Sequence, residues 1–380
     1  MRVLALFGRH IDVMSKNVQM ILQPIVSALA EKCAGLDDKA VLESYELFIS
    51  EDDYCQIESN LIQIQGLFQP GFSAKFALYS WNGTYFLVVT GMPELSPQRG
   101  VEMGYLGVDN DDNEALYYLF ASQAGLLVKE TVTPNEVYNN VFTEENKRER
   151  IQRKIIEPFF PEIFIYKIDE AKVALALPID DYCLKLLTLK YISGAFRENA
   201  FTPVTLSLDA ITMYDKLSSN TDRLIPIDNL IQSILAYKWN FLFLDLYRCI
   251  ERLYVIGWVL DYYETFGSML NKEALHTKLT ERSVAHHEDM IISYLFTKLD
   301  DHLLAELDSV RGGKKHADFI YDLRNSIVHY QTSEVTLTDV EWDVISVFLL
   351  KAIDRLYSDL NSDIRMLGNK EFKKDKSGGE

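Results

Sequence analysis

The stretch Phe319-Ile-Tyr-Asp-Leu-Arg-Asn-Ser-Ile-Val-His-Tyr330 decides how the C-terminal part of this chain folds. Its apolar residues recur at helical spacing, which predicts an amphipathic helix with one buried face. Four residues separate Arg324 from His329, and Asn325 directly follows the arginine. The polar residues Gln331-Thr-Ser333 come next and favour a helix end near His329.

The spacing of this Arg–His pair is not specific by itself, because Arg282–His287 and Arg311–His316 repeat it. Arg311 opens a glycine-containing segment that is predicted to be a loop, where spacing fixes no geometry, and Arg282 lies in a polar stretch. The pair Arg324–His329 combines an apolar helical frame with the asparagine. The context therefore favours Arg324 and His329 as the functional pair.

Helical patterns surround this pair from about residue 224 onward. They cover residues 228–237, 239–266, 273–280, 284–308, 316–330 and 338–362. Such a series of helices with apolar faces predicts an all-α bundle of four or five helices.

An arginine, an asparagine and a histidine near the end of a helix in an α-bundle resemble the HEPN superfamily, whose motif is Arg, four to six residues, and His. The helix that carries Leu246-Tyr-Arg-Cys-Ile-Glu-Arg-Leu-Tyr254 also looks like an early HEPN helix, and the resemblance covers about residues 225–362. Because many HEPN proteins are ribonucleases, the resemblance implies an endoribonuclease with Arg324, Asn325 and His329 as catalytic residues. It also implies a homodimer through the C-terminal domain, with two motif helices facing one cleft.

The chemistry of RNA cleavage by such a pair needs no metal or other cofactor. RNA carries its own nucleophile, the 2′-hydroxyl, and histidine is the side chain whose ordinary pKa suits proton transfer near neutral pH. A guanidinium binds phosphate oxygens through two donors and stabilises the developing charge. The expected products carry a 2′,3′-cyclic phosphate and a 5′-hydroxyl.

Helix geometry suggests the supporting roles. Asn325 and His329 lie four residues apart on one face, so Asn325 is predicted to hydrogen-bond the imidazole. Glu251 and Tyr330 are predicted to support the cleft, and the alternative for Glu251 is a surface ion pair with Arg248 or Arg252.

A basic loop precedes the motif helix and contains Arg311, Lys314, Lys315 and His316. It is predicted to guide the phosphates of RNA, and the alternative is an ordinary solvated loop. A metal site at His286-His-Glu-Asp289 is disfavoured, because adjacent residues of a helix point about 100° apart.

Residues 1–145 predict an α/β sensor or regulatory domain that binds a regulatory ligand or protein. Arg2–Phe7 has the pattern of a strand. Asn82-Gly83, between the apolar runs Lys75–Ser80 and Thr84–Val89, predicts a β-hairpin, because a type I′ turn needs positive φ at both positions. The run Phe86–Gly91 ends in Thr-Gly, which is compatible with a ligand-facing strand of the kind found in ancillary CRISPR ribonucleases.

Together with the remaining segments, these patterns predict an α+β multidomain protein. Residues 146–223 show mixed patterns and are interpreted as a linker domain, residues 224–365 as the HEPN-like helical domain, and residues 366–380 as a disordered tail. Three functions stay open: a HEPN endoribonuclease effector in antiviral defence or toxin-like growth arrest, a catalytically silent HEPN scaffold that binds a partner protein, and a cyclic-oligoadenylate-gated CRISPR ancillary ribonuclease.

The charge balance limits where RNA can bind. The chain carries 38 Lys and Arg against 56 Asp and Glu, a net charge of −18, which argues against a general basic coat for nucleic acid. Residues 1–145 hold 8 basic and 20 acidic residues, so −12 of this charge lies there. RNA binding is therefore expected in a small cleft around Arg324 and His329.

The cysteines and the hydropathy pattern favour a cytoplasmic protein without a membrane span. The four cysteines are far apart and form no C-x-x-C pair, which is typical of reduced thiols. Four charged residues interrupt the most apolar stretch, residues 241–260, and charges are costly in a bilayer.

Overall fold

The computed structural model describes residues 16–34, 45, 47, 55–57, 59, 61–71, 73–108, 113–149, 151–173, 180–199, 204–220, 224–266, 272, 288–329 and 337–368. The chain is α+β, as predicted, and divides into two compact units, residues 1–184 and 185–380. This division differs from the three-domain prediction, because the boundary falls inside the segment 146–223 that was interpreted as a separate linker domain.

The first unit contains a five-stranded sheet, ordered β1-β2-β3-β5-β4. Its strands are β1 (Ile62–Phe68), β2 (Lys75–Trp81), β3 (Thr84–Thr90), β4 (Tyr105–Gly107) and β5 (Ile163–Ile168). Every pairing in this sheet is antiparallel, so the unit is of the α+β type rather than the predicted α/β type, which requires parallel strands joined by crossover helices.

The predicted hairpin is confirmed between β2 and β3. Asn82 and Gly83 form its turn with φ of 50° and 75°. At the other end of β3, the Thr90 hydroxyl donates to the Glu162 carbonyl at 2.6 Å, and Thr90 is buried. The Thr-Gly end of β3 is therefore used in packing within the sheet.

Helices of 4 to 17 residues accompany the sheet. They are α1 (Lys16–Lys32), α2 (Pro97–Met103), α3 (Glu114–Gln123), α4 (Pro134–Val141), α5 (Glu144–Glu149), α6 (Arg153–Ile156) and a 3₁₀ turn at Glu157–Phe159. The helix α3 packs against α1 and is buried over seven of its ten residues, which places it in the core of the unit. Because β5 lies between β3 and β4, part of the predicted linker domain belongs to this sheet.

The second unit is built from helices over its described residues. They are α7 (Asp181–Asn199), which contains the boundary between the units, α8 (Leu208–Ser218), α9 (Ile227–Ile234), α10 (Trp239–Glu251), α11 (Tyr254–Phe266), α12 (Glu288–Phe296), α13 (Asp301–Ala305), α14 (His316–Val328), α15 (Asp339–Asp359) and α16 (Asn361–Gly368). The predicted helix 239–266 is two helices, α10 and α11. The predicted helices 284–308 and 338–362 are divided in the same way, between α12 and α13 and between α15 and α16.

The helix α15 lies at the centre of this unit. It packs against α8, α10 and α13, and eleven of its residues are buried, including Ile345, Phe348 and Leu349. Because α8 packs against α15, the second half of the predicted linker domain belongs to the helical unit. In the part of the chain that the structure describes, no helix is both long and apolar enough to cross a membrane.

Several predicted features lie outside the described residues. They are the strand Arg2–Phe7, the helix 273–280, Arg282 and His287, Tyr330, and most of the predicted tail 366–380.

A capping box formed by Thr338 and Glu341 stabilises the start of α15. The Thr338 hydroxyl accepts from the Glu341 N–H at 3.3 Å, and the Glu341 carboxylate accepts from the Thr338 N–H at 2.8 Å. We expect Thr338→Ala to lower the free energy of unfolding by about 1 kcal/mol, since the Glu341 N–H at the helix start loses the hydroxyl that accepts from it. Urea denaturation followed by circular dichroism measures this loss.

The control is Thr212→Ala. The Thr212 hydroxyl donates to the Leu208 carbonyl inside α8, so its removal leaves every backbone donor paired. Equal destabilisation by the two variants would show that the capping box contributes nothing specific.

Candidate functional site

Arg324 lies in the third turn of α14 with a side chain that is 19% exposed. Its Nη1 donates to Asn325 Oδ1 at 2.9 Å. Its Nη2 lies 3.5 Å from Glu251 Oε1 and 3.7 Å from Glu288 Oε2. The guanidinium is thus surrounded by side chains from α10, α12 and α14.

The two carboxylates near Arg324 lie at the ends of two helices. Glu251 is the last residue of α10, Glu288 is the first residue of α12, and both helices pack against α14. A carboxylate is favoured at a helix N-terminus and disfavoured at a C-terminus. The helix dipole therefore favours Glu288 at its position and disfavours Glu251, which lies 3.5 Å from the positive charge of Arg324.

Two buried tyrosines lie beneath the guanidinium. The Arg324 Cζ is 6.0 Å from the centre of the Tyr247 ring, and the Tyr247 hydroxyl shares a hydrogen bond with that of Tyr254. Burial raises the pKa of both phenols well above the ordinary value. Both hydroxyls therefore stay protonated, and the aromatic face adds a cation–π contact to Arg324.

These residues define the Arg324 cluster, which consists of Tyr247, Glu251, Glu288, Arg324 and Asn325. The structure brings the predicted Glu251 to Arg324, and it pairs Arg248, one of the two alternative partners of that glutamate, with Asp245 at 2.7 Å. Sequence reasoning missed Tyr247 and Glu288. Tyr247 lies four residues before Glu251 on the same helix face, and this spacing was the available signal. Nothing local in the sequence connects Glu288 to Arg324.

His329 ends α14. Its backbone N–H donates to the Asn325 carbonyl at 3.0 Å, and its side chain is exposed. The predicted helix end near this residue is confirmed. The Asn325 side chain, however, accepts from Arg324 rather than meeting the imidazole as predicted, so this asparagine orients the guanidinium.

The basic loop is tied to acidic residues. Arg311 Nε lies 2.6 Å from Asp308 Oδ1, and His316 Nε2 lies 3.1 Å from the same oxygen. Lys314 Nζ lies 2.5 Å from Asp322 Oδ2. Lys315 is the exposed residue that precedes α14. Three of the four predicted RNA-binding side chains are therefore paired with carboxylates.

The basic loop and His329 lie at opposite ends of α14. A rise of 1.5 Å per residue separates His316 from His329 by about 20 Å along the helix axis. The loop therefore lies one helix length from the histidine, and its role in guiding the phosphates of RNA stays a prediction. The sequence placed both features near one another only because they are neighbours along the chain.

The structure also brings Arg311 and His316 together, although the loop was expected to fix no geometry. Gly312 and Gly313 adopt φ of 58° and 80°, which allows the loop to return both side chains to Asp308. The described residues thus hold two Arg–His pairs of equal spacing, one in the loop that leads into α14 and one in the second half of that helix. Arg324 belongs to a partly buried cluster with aromatic and acidic neighbours, whereas Arg311 belongs to a surface triad.

Comparison with known proteins identifies no relative of this chain. No model of a protein family matches the chain, and no curated protein or solved structure matches it either. Among the described residues, no three His, Cys, Asp or Glu side chains are placed to hold a metal ion. The described site thus offers a guanidinium, two carboxylates and, at the end of the same helix, an exposed imidazole.

Proposed function

We propose that this chain is a metal-independent endoribonuclease effector of the HEPN type that acts in antiviral defence or toxin-like growth arrest. The observation that supports this proposal most is the partly buried guanidinium of Arg324. Its Nη1 donates to Asn325 Oδ1 at 2.9 Å, and the exposed His329 lies at the end of the same helix. Arg324 and His329 are the catalytic residues of this proposal, and Asn325 is a positioning residue.

In the proposed reaction His329 removes the proton of an RNA 2′-hydroxyl, and the resulting oxygen attacks the adjacent phosphorus. The bond to the 5′-oxygen of the next nucleotide breaks, and that oxygen takes up a proton. Arg324 binds the non-bridging phosphate oxygens and stabilises the additional negative charge. The products end in a 2′,3′-cyclic phosphate and a 5′-hydroxyl.

A homodimer through the helical unit completes this proposal. One imidazole cannot remove the first proton and supply the second one at the same time, so a second copy of His329 serves as the acid. Exposed apolar residues support such a contact, since Val328 precedes His329 and Met290 lies two residues after Glu288.

A catalytically silent HEPN scaffold that binds a partner protein is the second candidate. It is favoured by the two carboxylates next to Arg324, which oppose the binding of an anion. The cyclic-oligoadenylate-gated ribonuclease has less support, because the sheet is antiparallel and the Thr90 hydroxyl already donates to Glu162.

The test is cleavage of single-stranded RNA in the presence of EDTA. We expect His329→Ala to lower the cleavage rate by about 10²-fold or more, the usual contribution of a general base. His316→Ala is the matched control at the other end of α14, and we expect it to lower the rate by no more than about threefold, as for one exposed ion pair. Product ends are identified by mass spectrometry.

Three outcomes contradict the proposal. Cleavage that EDTA abolishes requires a metal, and cleavage that depends on His316 but not His329 assigns the activity to the other Arg–His pair. Absence of cleavage, with a dimer in analytical ultracentrifugation, favours the silent scaffold.

A further inference from the structure

The Arg324 cluster carries more negative than positive charge. Two carboxylates, Glu251 and Glu288, lie within 4 Å of a single guanidinium. The neighbouring Arg248 pairs with Asp245 and therefore does not compensate Glu251. Tyr247 is neutral, because burial raises its pKa. The charge of these side chains together is −1, and such an environment repels the phosphate of RNA.

The carboxylates also lie beside a donor nitrogen that a phosphate needs. Both lie next to Arg324 Nη2, and Nη1 donates to Asn325. A guanidinium binds phosphate through two parallel N–H groups, as it binds a carboxylate. A phosphate oxygen and a glutamate oxygen therefore compete for Nη2.

From these contacts we propose that the cluster is an autoinhibited form of the site, in which Glu251 and Glu288 take the place of an RNA phosphate. This inference rests on the proposed ribonuclease function and adds its regulation. The site becomes competent when the carboxylates leave Arg324, while Asn325 keeps the guanidinium oriented.

The contact distances fit a replaceable inhibitor. The carboxylate distances of 3.5 and 3.7 Å exceed the 2.9 Å bond to Asn325. The side chains of Glu251 and Glu288 are 36% and 26% exposed, and ion pairs this accessible to water are weak. Asn325 is thus the stronger partner of Arg324, and the two glutamates are the exchangeable ones.

The experiment compares Glu251→Gln, Glu288→Gln and the double variant. Glutamine keeps the size of the side chain and removes its charge. In a His329→Ala background, in which cleavage is slow enough to measure binding, we expect each variant to bind a fluorescent single-stranded RNA oligonucleotide about twofold to fivefold more tightly. With His329 present, the same changes raise the cleavage rate.

Glu306→Gln is the charge-matched control. Glu306 pairs with Lys351 at 2.8 Å in the same unit and makes no contact with Arg324. It corrects for the general effect of one lost negative charge on RNA binding. Equal gains in Glu306→Gln and in the cluster variants would overturn the inference.

A second outcome also overturns it. If Glu251→Gln and Glu288→Gln weaken RNA binding and slow cleavage, the glutamates are positioning residues and not inhibitors. The sign of the effect therefore decides between the two roles.

A third measurement keeps this inference separate from the ribonuclease proposal. Phenylglyoxal modifies arginines, and peptide mass spectrometry follows the reaction at Arg324. We expect faster modification in the glutamine variants even when no variant binds or cleaves RNA, in which case the autoinhibition stands and the proposed substrate is wrong. Unchanged reactivity at Arg324 would refute the autoinhibition.

Discussion

We expect Arg324→Ala to lower the rate of RNA cleavage by about 10²-fold to 10³-fold, which is the usual effect of removing one donor that stabilises the transition state. The variant loses the guanidinium that Asn325 orients and Tyr247 contacts. Arg324→Lys keeps the charge and loses the two-donor geometry, so we expect an intermediate rate. The measurement is single-turnover cleavage of a labelled RNA, which separates the chemical step from product release.

The control for this prediction is Arg311→Ala, which removes the arginine of the other described pair. Arg311 is bound to Asp308 at the far end of α14, and its loss should leave most of the rate intact. Arg324→Ala also leaves Glu251 and Glu288 without their cation, so thermal unfolding must show that the variant is folded. A folded Arg324→Ala protein with the wild-type rate would remove this cluster from the mechanism.

The local elements of the fold were predictable from the sequence. The Asn82-Gly83 turn was recognised from residues that tolerate positive φ, and the helix around Arg324 from its apolar spacing. Both signals are contained within about fifteen consecutive residues. The end of that helix at His329 was predicted for the same reason.

Contacts between distant segments were not predictable in this way. The strand β5 lies between β3 and β4, and residues near 165 carry no local signal of pairing with Val88. The same holds for Glu288, which reaches Arg324 because α12 packs on α14. Hydrophobic periodicity reports which face of an element is buried, but not which element covers it.

The role of Asn325 was also beyond the sequence. Its spacing to His329 allowed a hydrogen bond to the imidazole, and the structure instead pairs it with the adjacent Arg324. Sequence spacing shows which residues share a helix face, whereas rotamers and competing partners decide which contact forms. For the same reason, the sequence spacing of the loop does not predict that Asp308 pairs with both Arg311 and His316.

The second large effect concerns Gly91 at the end of β3. A Cβ added there would lie 2.2 Å from the Ser73 carbonyl oxygen and 2.9 Å from the Ala74 nitrogen, and φ is +72°. We expect Gly91→Ala to lower the free energy of unfolding of the first unit by about 3 kcal/mol or more, since left-handed strain and a clash with backbone add together. Urea denaturation followed by the fluorescence of Trp81, with the other tryptophans replaced by phenylalanine, measures the loss.

Gly83→Ala separates the two causes. Gly83 has a similar φ of +75°, but a Cβ there meets no atom within 4 Å. We therefore expect Gly83→Ala to lower the free energy of unfolding by the left-handed strain alone, about 1 to 2 kcal/mol. The difference between the two variants measures the close approach of Gly91 to Ser73, which holds the start of β2 against the end of β3. Equal losses would mean that Ser73 moves away at no cost and that this approach does not stabilise the sheet.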